Sequence, residues 1–150
     1  MEIDNLRVAK LREYLFKIIQ ELNAQYQQLN VNFLSDDINN YSLDKIPTEI
    51  EEEKWIIGFA VCKDVFSFRS RMSYSADVIT NIENIGFYET FAKIIKNKNE
   101  AGDLPNIEGI ETIRCLNAGT MARANTNTAE FDIQIQIEYR EGVNNITASI

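Results

Sequence analysis

Residues 64–95 read DVFSFRSRMSYSADVITNIENIGFYETFAKII, and within this stretch a two-residue rhythm gives way to a helical one. Phe66, Phe68, Ser70 and Met72 fall on one side of an extended segment, with Val65, Ser67, Arg69 and Arg71 on the other. That alternation marks a strand, because successive side chains of an extended chain point to opposite faces. Ser73, Tyr74 and Ser75 break it. Ser73 or Ser75 can cap the orphan amides of a helix, and Asp77 would sit in the first turn, where the dipole favours negative charge. Val78, Ile79, Ile82 and Ile85 begin an apolar stripe that resumes in Phe87, Tyr88, Phe91, Ile94 and Ile95. Gly86 costs about 1 kcal/mol relative to alanine, so the helix is expected to bend there or to be approached by another backbone. Lys96, Lys98, Gly102 and Pro105 close it, in the order that a helix C-terminus favours.

Upstream, Trp55 to Cys62 (WIIGFAVC) is a nearly continuous apolar run, expected to be a strand covered on both faces with a bulge or close approach at Gly58. Lys63-Asp64 is expected to turn the chain into the next strand. Ile46-Pro47-Thr48-Glu49 suits an edge strand or connector, since proline lacks an amide donor. Ser35 to Tyr41 is turn-rich, and Leu29, Val31 and Phe33 alternate with Asn30 and Asn32 as a short strand. Asp4 or Asn5 can cap a first helix whose Val8, Leu11, Leu15, Ile18, Ile19 and Leu22 recur at spacings of three and four.

Downstream, Ile110 to Asn117 and Thr128 to Tyr139 read as the last two strands. In the second, Phe131, Ile133, Ile135, Ile137 and Tyr139 alternate with Asp132, Gln134, Gln136 and Glu138, one buried face against one wet or partner-facing face. Ala118 to Asn127 (AGTMARANTN) is too long for a tight hairpin and reads as a mobile or partner-ordered loop. These elements predict one α+β domain over residues 1–141, a mainly antiparallel or mixed sheet with two amphipathic helices packed on one face. Residues 142–150 lack periodicity and are expected to form a disordered tail.

The totals bound the function. A chain of 150 residues can bury roughly 70% of its unfolded surface as one domain. Its formal net charge of -8 and scattered basic residues disfavour sequence-specific nucleic-acid binding. There is no histidine, which removes the commonest general base and the commonest metal ligand. Cys62 and Cys115 read as buried free thiols suited to a reducing compartment. No secretory signal and no apolar run of about 18 residues appears, so the expectation is a cytoplasmic protein with no membrane partner.

No catalytic set emerges. Asp36-Asp37, and Glu49 with Glu51, are the candidate carboxylate pairs, but adjacent acids on a turn or edge are more often solvated than catalytic. The run Glu51 to Glu53 reads as a solvated edge. Ser67, Ser70, Ser73 and Ser75 lack a histidine, a nucleophile elbow or a paired lysine. Arg69 and Arg71 share a side and read first as ion-pair partners of nearby acids. No enzyme, cofactor or metal is expected. The spare features are the second face of the last strand, residues 120–123 and the two arginines, all able to meet another subunit.

Three segments in order carry a resemblance: Tyr41-Ser42-Leu43 followed by Pro47-Thr48, then FSFRSRMSYSADVITNIENIGFYETFAKII, then Gly102-Asp103-Leu104-Pro105 ahead of two carboxy-terminal strands. The pattern, spanning roughly Asn30 to Arg140, resembles the tail-terminator (tail-completion) proteins of tailed bacteriophages and of phage-derived tail-like particles. The run Ile56 to Cys62 is more apolar than that pattern. The resemblance implies a compact α+β subunit forming a six-fold ring on the head-proximal end of the tail tube, which stops tube polymerisation and joins it to the neck or head. The implied partners are other copies of the chain, the tube protein, neck or connector proteins and the sheath of a contractile tail. DNA would only pass through the lumen, and the location would be host cytoplasm during assembly and then the virion tail. Within that reading Arg69, Arg71, Thr120, Met121 and Arg123 are the expected subunit or tube interface; no catalytic residue is implied.

Overall fold

The computed structural model describes residues 3, 6–22, 28–47, 53–54, 59–73, 78–117, 119–125 and 127–142. The elements in chain order are helix α1 (Arg7–Leu22), strands β1 (Gln28–Val31), β2 (Asn40–Ile46), β3 (Glu53–Lys54) and β4 (Phe59–Ser73), helix α2 (Val78–Glu100), and strands β5 (Ile110–Cys115), β6 (Thr120–Ala124) and β7 (Thr128–Gly142). All strands join one sheet in the order β1-β2-β4-β7-β5, with β3 on β4 and β6 on β7. Among the described strands only β1 and β2 pair in parallel. The expected α+β class, with a mixed, mainly antiparallel sheet, is what the chain adopts.

The axis of the sheet is the ladder between β4 and β7, unbroken from Phe59↔Gly142 to Ser73↔Thr128. One side of it is apolar: Phe66, Phe68 and Met72 of β4 and Phe131, Ile133, Ile135, Ile137 and Tyr139 of β7 are buried, joined by Tyr41 and Leu43 of β2. The buried stripes of both helices, Leu11, Leu15, Ile18 and Ile19 from α1 and Tyr88, Phe91 and Ile95 from α2, enter the same core. Aromatic rings concentrate at its centre. Phe68 lies between Tyr41 and Phe91, with ring centroids 5.5 and 4.9 Å away. Helix α2 ends as expected: Gly102 at φ 73° lets its amide and that of Asp103 bond back to the Asn99 and Lys98 carbonyls.

Several expectations are corrected. Lys63-Asp64 is no turn but lies inside β4, where the buried Asp64 carboxylate accepts 2.8 Å from Arg7 and lies 3.8 Å from Lys45. That pairing lets an acid occupy an apolar position. Asn40 and Tyr41 open β2, an interior strand whose Tyr41 and Leu43 alternate with Ser42 and Asp44, so only residues 32–39 form the connection. Phe33 lies beyond β1 and is 62% exposed. Ile82 and Ile85 face solvent rather than the core, 61% and 56% exposed. Of the two readings of Gly86, close approach of another backbone is not seen among the described residues, since a Cβ there would meet nothing within 4 Å. Residues 120–124, read as loop, are strand β6, and β6 reaches β7 through a tight turn in which Asn125 Oδ1 accepts the amides of Asn127 and Thr128 at 2.9 and 2.7 Å. Gly142 belongs to β7, while residues 143–150, Trp55–Gly58, Ser75, Asp77, Glu49, Glu51 and Glu52 lie outside the described residues.

Candidate functional site

The other side of the sheet is polar because the pleat leaves it every second residue of the same strands. Register places Asn40, Arg71, Glu130 and Arg123 in one row across β2, β4, β7 and β6. Ser42, Arg69, Asp132 and Thr120 form the next row. Diagonal neighbours on one sheet face lie within reach of long side chains, and arginine uses that reach here. Arg69 Nη1 donates to Glu130 Oε1 at 2.9 Å, and its Nε meets Asp44 Oδ2. Burial alone would lower the Arg69 pKa, but the bonds to Asp44 and Glu130 outweigh it and hold the guanidinium above its ordinary value.

Much of the rest of this face is paired in the same way, although the buried Asn30 Nδ2 and Thr112 Oγ1 find no hydrogen-bond partner among the described residues. Ser67 Oγ donates to Asp132 Oδ1 at 2.5 Å, Ser42 Oγ to Asp44 Oδ1 at 2.6 Å, and Gln136 Nε2 to Glu138 Oε1 at 3.1 Å. Arg71 Nε donates to the Ser35 carbonyl at 2.9 Å, tying residues 32–39 down over the β2 side of the face. Phe33 donates its amide to Ser42 Oγ at 3.0 Å, which accounts for the complete burial of Ser42.

The structure therefore brings Arg69 and Arg123 to Glu130, while Arg71, in register with Glu130, sends its guanidinium to the Ser35 carbonyl and Thr128 Oγ1. Arg123 is the loosest of them, 86% exposed at its side chain and 4.0 Å from Glu130 Oε2. Thr120 sits at the register position of Asp132 on β6. Met121 belongs to the opposite side, in register with Phe131, and is 50% exposed. The acids that organise the cluster, Asp44 and Glu130, were not singled out in the sequence; the alternation of β7 carried the only signal for Glu130. Asp36 and Asp37 are exposed on the turn before β2.

A second polar cluster sits under the far end of the sheet. Arg7 stacks 4.3 Å over the Tyr139 ring, and the Tyr139 hydroxyl lies 3.4 Å from Asp64 Oδ1. Burial, with the Asp64 charge behind it, pushes the Tyr139 phenol up to about 12. A cleft of about 620 Å³ opens beside it, lined by Arg7, Lys10, Tyr139 and Arg140 among others. Arg7 is committed to Asp64 and Arg140 to Glu111, 2.7 Å away. Both arrangements fix surface shape and neutralise charge internally. Cys115 is half-buried, and that burial pushes its thiol up to about 12, away from reactivity. Among the described residues no group of three or more Cys, Asp or Glu is arranged to hold a metal, and no helix is long and apolar enough to cross a membrane. No protein-family model matches the chain, and no curated protein matches it.

Proposed function

We propose that this protein is a tail terminator: a structural subunit that assembles into a six-fold ring, caps the head-proximal end of a phage or phage-like tail tube, stops its growth and provides the joint to the neck or head. The reading starts from the ordered resemblance spanning roughly Asn30 to Arg140 and rests on one structural observation, the polar face built around Arg69. A cap needs a surface that keeps its shape whether or not a partner is docked, and side chains already paired across three strands lose little freedom on docking. The same pairing suits a DNA conduit, because cations neutralised by their own acids do not hold phosphate through counterion release.

Termination follows from geometry: subunits that meet through two different surfaces close into a ring after a fixed rotation, and the cap ends growth when only one ring surface matches the tube. The sheet is suited to side-chain docking rather than strand addition. Arg12 Nε donates to the Leu29 carbonyl on β1 at 3.0 Å, and Asn99 Oδ1 accepts the Ile113 amide on β5 at 3.0 Å, so each terminal strand of the sheet has a backbone group occupied by a helix side chain. The test is electron microscopy of particles assembled without this protein. Overlong tubes support the terminator; normal tails beside unjoined heads identify a neck adaptor instead, and complete particles rule out both.

A further inference from the structure

The two sides of the sheet reach its lateral edges with different chemistry, and the two edges complement each other. On the β1 side, α1 and β1 enclose an apolar groove of about 690 Å³ that includes Leu6, Phe16 and Val31. Val31 is 42% exposed there. On the polar side of the same edge, the turn before β2 carries exposed Asp36 and Asp37. That turn is fixed: Asn40 Nδ2 donates to the Asp37 and Ile38 carbonyls, each at 3.1 Å, and the Asn39 amide donates to the Arg71 carbonyl at 2.7 Å.

The opposite edge is β6. Met121 projects on the helix-covered side and Arg123 on the polar side. Strand register relates these features: Asn40, which anchors the acidic turn, shares a row with Arg123, and Val31 of the groove lies in the row of Leu43, Phe68 and Ile133, two residues along from the row of Leu29, Tyr41 and Met121. Two copies set side by side in the same orientation therefore bring Met121 of one towards the apolar groove of the other, and Arg123 towards Asp36 and Asp37. The match of charge matters because each copy carries -8 and repels its neighbour at long range, so a self-interface needs opposite charges placed where they meet.

We infer that the β6 edge of one copy docks on the α1–β1 edge of a second copy, with Met121 in the apolar groove and Arg123 against the acidic turn of Asp36 and Asp37. The contact is heterologous, because the two edges are different surfaces of the chain, and it repeats around a ring. It supplies the lateral interface of the proposed cap and rests on that reading only for ring closure.

The experiment is a charge swap with a cross-link, read by native mass spectrometry and analytical ultracentrifugation with and without tail tubes. Arg123→Glu, and separately Asp36→Lys with Asp37→Lys, are expected to weaken self-association by about tenfold or more, and combining them is expected to restore much of it. In parallel, Val31→Cys and Met121→Cys proteins should be joined into a dimer by a short bis-maleimide cross-linker when mixed, and neither alone beyond the level set by Cys62 and Cys115 in the parent. Association unchanged in every variant, a cross-link from either cysteine variant alone, or a chain that stays monomeric on tubes would overturn the interface. If the swap and cross-link succeed while tails lacking the protein have normal length, the interface stands and the cap assignment fails.

Discussion

The two faces of one sheet are built from alternate residues of the same strands, yet they hold together by different means. On the helix-covered face, Phe66, Phe68, Ile133 and Ile135 lose all or nearly all contact with water. On the opposite face, Asp44, Arg69 and Glu130 pair across three strands, and Asp132 accepts from Ser67. The first is stabilised by area removed from water, which has no direction. The second is directional and largely self-cancelling, so it contributes shape more than stability. A strand whose two faces obey such different rules can change one without rebuilding the other.

Truncating the apolar face should have the largest effect. Phe68→Ala empties a fully buried site between Tyr41 and Phe91, and is expected to cost about 4 kcal/mol in a denaturant titration. A loss below about 1 kcal/mol would erase the contrast between the faces.

Arg69→Ala comes next. It leaves Asp44 and Glu130 without their shared cation, and is expected to cost about 2 kcal/mol, with much of it recovered in an Asp44→Asn, Glu130→Gln background. Failure of that rescue would show that the arginine acts by packing its methylenes rather than by charge.

A third expectation separates the faces by pH. Cys115 and Tyr139 both have pKa values raised to about 12 by burial in the folded chain, from ordinary values of 9.0 and 10.0. Over that interval the unfolded chain releases protons that the folded chain retains, so stability falls as pH rises from about 9 towards 12. Thermal melts against pH check this, and Cys115→Ala should remove the lower part of the decline.

The smallest effect is expected at the rim. Arg123→Ala should change folding stability by about 0.5 kcal/mol or less, because its pair with Glu130 is long and solvated. A larger change would place Arg123 in the subunit's own network rather than at its edge.

The same contrast explains what could be read from the chain. Burial on one face writes a period into the sequence, so β4, β7, α1 and the second half of α2 were legible from Phe66 to Met72, Phe131 to Tyr139, Leu11 to Ile19 and Phe87 to Ile95. β2 carried the period in Tyr41 and Leu43, but its asparagines and aspartate also satisfy turn chemistry. β6 carried none: residues 121–124 are exposed, so the strand is fixed by pairing with β7, by the Asn125 turn, and by Gly119, where a Cβ would approach Tyr88 to 2.8 Å. Three of the five expected interface residues, Arg69, Arg71 and Arg123, converge in space. The acids that hold Arg69 and Arg123 were hidden because Arg69 and Glu130 are 61 residues apart, and only cross-strand register reveals such a pair; Arg71 is held instead by the Ser35 carbonyl.

The position of β7 also has a temporal meaning. It pairs with β4, β5 and β6, and it is the last described strand to leave the ribosome. Until it emerges, β5 and β6 have no strand to join and β4 presents an unpaired inner edge. Its outermost rung, Phe59↔Gly142, closes a long loop that must form before its contacts stabilise it. The chain is therefore expected to reach its folded form only after synthesis of β7, although Tyr41, Phe68 and Phe91 at the centre of the core emerge before it. A copy truncated within β7 would expose strand edges and aggregate rather than join its neighbours.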